Sequence, residues 1–72
     1  MVNKKKSALI KKTGTGYLNV RDGAAFSSGI IDRVTPGETY IYIEEETSWV
    51  KIKLTNGIEG WVSKQYVEII DP

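Results

Sequence analysis

Tyr17-Leu18-Asn19-Val20-Arg21-Asp22-Gly23 decides how the rest of the chain is read. Leu18 and Val20 alternate with Tyr17, Asn19 and Arg21, and this period of two marks a half-buried strand with one apolar face. Asp22-Gly23 ends the strand, because glycine tolerates the positive φ that a sharp exit uses. With the hydrophobics inward, Tyr17, Asn19 and Arg21 form one outer row. An aromatic ring, an amide and a guanidinium in a row can stack on a ligand and hydrogen-bond to it. The same residues have a structural use: the tyrosine can cover a barrel edge and the arginine can pair with a nearby carboxylate.

Towards the N-terminus, Thr13-Gly14-Thr15-Gly16 is a glycine-spaced loop. It lacks the spacing of a phosphate-binding loop and no helical pattern follows it, so it reads as a turn or bulge. Ala8 to Thr13 is a weak strand with Leu9 or Ile10 inward. The first seven residues form a polar lead-in, expected to be mobile, whose Lys4, Lys5 and Lys6 are solvated.

Towards the C-terminus, Ala24 to Gly29 is a small-residue loop carrying one large aromatic, Phe26. Ile30, Ile31 and Val34 lead into a strand. Thr35-Pro36-Gly37-Glu38 places proline and glycine at the central positions of a type II turn. Thr39-Tyr40-Ile41-Tyr42-Ile43 is β-branched or aromatic throughout; either the tyrosines or the isoleucines face in. Glu44-Glu45-Glu46-Thr47-Ser48 reads as a solvated acidic connection. Val50, Ile52 and Leu54 alternate with Trp49, Lys51 and Lys53, and Asn56-Gly57 signals a type I′ hairpin turn. Ile58 to Val62 returns, Ser63 to Tyr66 suits a single 3₁₀ turn, and Val67 to Ile70 closes the chain. Apolar residues nowhere recur at helical spacing over ten positions. The expected fold is all-β, with five or six short antiparallel strands spanning residues 8–70 and a tail at 71–72. Its core holds Leu18, Val20, Ile31, Val34, Val50, Ile52, Leu54, Val62 and Val67, with Trp61 closer to the core than to the surface.

Composition narrows the function. Seventy-two residues make one small domain. No cysteine or histidine is present, so disulfides, thiolate sites, the commonest metal ligand and the commonest general base are all missing. A zinc hydrolase would need three or four converging ligands, and only carboxylates remain. A serine nucleophile lacks a base, and the acidic residues are spread along the chain rather than paired across a cleft. The chain is therefore expected not to be an enzyme and to use no cofactor. Ten basic and nine acidic residues leave a net charge of +1, a field too weak to imply nucleic acid or an anionic membrane as partner. No apolar run approaches the roughly 20 residues that span a bilayer, and Ala8-Leu9-Ile10 is too short for the apolar part of a signal peptide. The chain reads as a monomeric domain excised from a longer protein.

Leu18-Asn19-Val20-Arg21-Asp22-Gly23, then Ile31, Val34, Gly37, Trp49-Val50-Lys51-Ile52, Asn56-Gly57 and Gly60-Trp61-Val62, resemble the bacterial SH3 domain family. The resemblance runs from about Ala8 to Ile70 and implies an SH3-like barrel. Members typically carry a serine and a proline where Asp22 and Ala24 stand here, so the loop after Gly23 is expected to be less rigid. Thr55 extends the hairpin by one residue, and Tyr40 and Tyr42 replace smaller residues. The resemblance implies a non-catalytic module that binds the peptide part of peptidoglycan, stem or cross-bridge. It would serve beside the catalytic domain of a secreted hydrolase or surface protein, such as an N-acetylmuramoyl-L-alanine amidase or a cell-wall endopeptidase. Localisation would then be extracellular, at the cell wall.

Four tyrosines, two tryptophans and one phenylalanine exceed what so small a barrel encloses. The spare rings suit a groove for a thin peptide backbone, with flat walls and polar tips. Tyr17, Asn19, Arg21, Phe26, Trp49 and Tyr66 are the expected ligand-binding residues. Two alternatives use the same surface. One is a protein-interaction module for a proline-rich peptide or a partner domain. The weaker one is a small-barrel nucleic-acid binder using Lys4 to Lys6, Lys51, Lys53 and Lys64.

Overall fold

The computed structural model describes residues 6–71. Lys4 and Lys5, most of the expected lead-in, and Pro72 lie outside them. Seven strands lie among the described residues, where five or six were expected: β1 (Ser7–Ile10), β2 (Leu18–Arg21), β3 (Ile30–Val34), β4 (Thr39–Glu45), β5 (Trp49–Lys53), β6 (Glu59–Ser63) and β7 (Val67–Ile70). A single 3₁₀ turn, Lys64–Tyr66, joins β6 to β7. All pairings are antiparallel, and the strands form one sheet in the order β3-β2-β6-β5-β4-β1-β7. The sheet curls into a small SH3-like barrel.

Alternation explains the interior. Leu18 and Val20 from β2, Val50 and Ile52 from β5, and Val62 from β6 point inward and meet Ala8, Ile10, Val34, Leu54 and Val67. Eight of the nine expected core residues are there. Ile31 is not: it is 42% exposed, because β3 is an edge strand hydrogen-bonded to β2 alone. The β2–β3 register also slips between Val20 and Arg21, so the alternation of β3 is not carried cleanly into the interior. Trp61 is a second correction. It is only half-buried and stays outside the core, with the Lys51 ammonium 5.8 Å from its ring centroid. In β4 the tyrosines face in: Tyr40 and Tyr42 pack against the core while Ile41 and Ile43 are exposed.

The turns differ in detail from the sequence reading. Gly37 has φ +92° and the Glu38 N–H reaches the Thr35 carbonyl at 3.3 Å, as a type II turn requires. The hairpin at Asn56-Gly57 is not type I′, since Asn56 keeps a negative φ and only Gly57, at +89°, is left-handed. Gly57 N–H bonds to the Leu54 carbonyl at 2.9 Å and Leu54 N–H to Ile58 at 2.8 Å. The extra Thr55 makes a three-residue loop, with a type I turn followed by a left-handed glycine. Gly23 does not adopt positive φ either; it is small because a Cβ there would sit 2.6 Å from Ser28 Oγ. Glu44 and Glu45 belong to β4 rather than to a connection, and both are exposed, as expected. Glu44 approaches Lys51 at 4.0 Å, and Glu45 pairs with Lys64.

Candidate functional site

Three connections converge on one side of the barrel: residues 11–17 before β2, residues 22–29 after it, and the 3₁₀ turn before β7. Between them lies a cleft of about 320 Å³. Its walls include Tyr17, Asn19, Arg21, Phe26, Trp49 and Tyr66, so the structure brings all six sequence-nominated residues to one place.

Each is positioned by a specific cause. Trp49 opens β5 on the side away from Val50, opposite Ser63, and the residue is 8% exposed rather than standing free in a groove. It forms a floor. Phe26 rides the loop above and meets Trp49 edge-on, with ring centroids 4.8 Å apart and planes at 63°. That geometry sets the positive ring edge of one aromatic against the π-face of the other. Phe26 itself is 70% exposed, so most of its ring remains available.

The loop carrying Phe26 is laced to β2. Arg21 Nη1 donates to the carbonyls of Phe26 (2.9 Å) and Ser28 (3.0 Å), and its guanidinium lies 5.6 Å from the Phe26 ring centroid. Asp22 accepts the Gly29 N–H on Oδ1 at 3.0 Å, and its own N–H bonds to the Gly29 carbonyl at 2.9 Å. These bonds tie down a loop that lacks the family's proline at Ala24. Arg21 therefore binds loop carbonyls, and the alternative of pairing with a carboxylate is not found among the described residues.

Tyr17 and Tyr66 build the other wall. The Arg33 guanidinium of β3 stacks 4.3 Å from the Tyr17 ring centroid, a cation–π contact that holds the ring in place. Tyr66 packs partly on the core, and its carbonyl accepts the Lys11 N–H at 2.8 Å, tying the 3₁₀ turn to the end of β1. Asn19 projects from β2 between these walls, and its Oδ1 is buried without a hydrogen-bond partner.

Sequence reasoning missed Thr13, Gly14, Thr15 and Ser63, which also line the cleft. Thr13 is buried. Its hydroxyl donates to the Tyr17 carbonyl at 3.0 Å and accepts the Gly16 N–H at 3.0 Å, folding the loop back against β2. The signal was present as a threonine three residues before a glycine, a side-chain turn pattern.

Among the described residues no acidic one lines this cleft. Among the described residues no group of three His, Cys, Asp or Glu is placed to hold a metal, and no helix is long and apolar enough to cross a membrane. The carboxylates with lowered pKa lie elsewhere. Glu38 is lowered by the Thr35 backbone N–H and then the Tyr40 hydroxyl, and Glu45 by its bonds to Lys64 and then Tyr42. The arrangement is suited to holding a ligand by ring faces, an amide and one cation.

The family model described as the bacterial SH3 domain matches residues 16–68, and the chain belongs to that family. Members are binding modules rather than catalysts. Over 48 residues, 67% of this chain, it is 44% identical to a Bacillus subtilis (strain 168) protein named "Putative N-acetylmuramoyl-L-alanine amidase YrvJ". That match spans 9% of the relative's length.

Proposed function

We propose that this domain holds a peptidoglycan peptide in the cleft and so keeps a larger cell-wall protein on its substrate. The observation that carries the reading is the convergence of Phe26, Trp49, Tyr17 and Tyr66 around a narrow opening that contains polar groups but no acid. Wall peptides are rich in small residues and expose mostly backbone amides. Flat rings admit such a thin chain, and hydroxyl, amide and guanidinium groups bind its N–H and C=O groups. Membership of the bacterial SH3 family, and a relative named as an amidase, support the same reading.

In this reading the domain performs no reaction. It works outside the cell at the wall, as a monomer beside a catalytic domain such as an amidase or a cell-wall endopeptidase. Residues 8–70 are the binding unit. One small cleft gives weak affinity, and tethering to the catalyst or to a second module raises the effective concentration.

The test is co-sedimentation of the 72-residue chain with purified sacculi. The wild type pellets with sacculi and the Phe26→Ala variant does not. Wild type left in the supernatant, or captured equally with and without Phe26, overturns the reading. Capture that collapses with modest salt and is competed by single-stranded nucleic acid would favour the basic-surface alternative instead.

A further inference from the structure

Resting on the reading of the cleft as a wall-peptide site, we propose that it recognises the free C-terminal carboxylate of a peptide chain rather than an internal stretch. Arg21 receives the carboxylate, and Asn19 receives a peptide N–H.

The charge pattern is the first ground. Among the described residues, Arg21 is the only charged one on the cleft wall. Among the described residues no carboxylate comes within ion-pair distance of its guanidinium. Asp22, its neighbour in the chain, commits its Oδ1 to the Gly29 N–H instead. Both side-chain hydrogen bonds of Arg21 run from Nη1 to neutral carbonyls, so the loop holds the group in place without neutralising it. A half-buried guanidinium fixed in this way presents a fork of remaining N–H donors whose geometry matches a carboxylate.

The second ground is Asn19. The residue lines the same cleft, and its Oδ1 is buried and accepts nothing, a costly state that a donor would relieve. A turn of the side-chain amide towards the cleft presents it to a ligand. Asn19 and Arg21 are two residues apart on one face of β2, so their backbone positions lie roughly 7 Å apart along the strand. A terminal residue carries its carboxylate and its preceding peptide N–H within that span. An internal segment supplies N–H groups but no anion, and leaves Arg21 without a counter-charge. In a cell wall, free peptide C-termini occur where stems have not been cross-linked. The domain would therefore favour newly made or incompletely linked wall.

The probe is acetyl-glycyl-D-alanyl-D-alanine, prepared as the free acid and as the C-terminal amide, titrated into the intact chain by NMR or tryptophan fluorescence. The acid is expected to bind at least about tenfold more tightly than the amide, the range of a charge-assisted hydrogen bond. Salt should weaken acid binding and leave amide binding nearly unchanged. Arg21→Gln should bring the two affinities together. Should that variant not fold, the salt dependence of the two wild-type titrations still decides the matter. Equal affinity for acid and amide overturns the proposal and leaves the wall-binding reading intact. So does binding to sacculi but to neither peptide. Binding to neither peptide nor sacculi overturns both.

Discussion

The ring of Phe26 meets that of Trp49 edge-on at 4.8 Å, yet the first is 70% exposed and the second 8%. One contact therefore joins a loop residue whose removal disturbs little to a floor residue whose removal disturbs much. Phe26→Ala should lower thermal stability only slightly while abolishing retention on sacculi. Trp49→Ala should cost about 3–5 kcal/mol, the usual range for truncating a buried aromatic. Thermal melts and co-sedimentation measured on both variants check this. Stability losses of equal size would contradict the asymmetry.

Gly60 is a matter of space rather than of backbone conformation. A Cβ at this position would overlap Val20 and stand 3.0 Å from both the Arg21 carbonyl oxygen and Ile31 Cδ1. Gly60→Ala is expected to destabilise by about 1–3 kcal/mol through overpacking. Paired with Val20→Ala, the double variant should lose less stability than the sum of the two single losses, since removing the Val20 methyls makes room for the new Cβ. Chemical denaturation of the double-mutant cycle reads that coupling.

Thr13 supports the cleft from behind. Thr13→Val keeps the shape of the side chain but removes its bonds to the Tyr17 carbonyl and the Gly16 N–H. A loss of about 1–3 kcal/mol is expected, because the Gly16 N–H is left without its acceptor in a partly buried site, while the Tyr17 carbonyl keeps its bond from the Thr15 hydroxyl at 3.0 Å. Amide exchange at Gly16 should accelerate more than exchange in β5. Weaker ligand binding should accompany it, since the loop beside Tyr17 is held by one bond fewer while the ring keeps its Arg33 contact.

Stability should fall at both ends of the pH scale, for opposite reasons. Glu38 and Glu45 are held below the ordinary carboxylate value of 4.5, the first by the Thr35 N–H and the Tyr40 hydroxyl, the second by Lys64 and Tyr42. A depressed folded-state pKa contributes stability that is present above 4.5 and lost as pH falls below it towards the folded values. Tyr40 behaves the other way. Burial, then its hydrogen bond to Glu38, pushes it from 10.0 up to about 12. Its contribution is complete below pH 10 and lost as pH rises towards 12. Melting temperature measured across pH should show both declines. Glu38→Gln should flatten part of the acid limb and shift the tyrosinate absorbance titration of Tyr40 downwards.

Much of the barrel was readable because alternation carries it. Leu18 and Val20, and Val50 and Ile52, have polar partners at every second position, and burial follows. In β4 that contrast disappears: Tyr40, Ile41, Tyr42 and Ile43 all suit a strand, and only packing against the core decides that the tyrosines face in. The tryptophans show a different limit. Trp49 lies opposite Ser63 and Trp61 opposite Lys51, on the same side of their strands. The loop of residues 22–29 folds over one and leaves the other beside a lysine. Which ring a loop covers is a long-range matter that no local pattern encodes. Ile31 failed similarly, since its exposure depends on β3 lying at the margin of the sheet. The six nominated cleft residues could be grouped because three share β2 or its approach, and the others are aromatics placed on turns or strand starts.

Ser7 of β1 faces Ile70 of β7, while at the other end of the pair Ile10 faces Val67 and the chain runs on to Thr13 and back from Tyr66. Polypeptide attached at either side would thus leave from the end remote from the cleft mouth, about 10 Å back along the strands. Tension applied between such attachments would load this pair as a zipper, parting its hydrogen bonds one at a time instead of shearing them together. A module loaded in this way would give way early as a link in a taut chain, and would carry no such load at the end of a slack one.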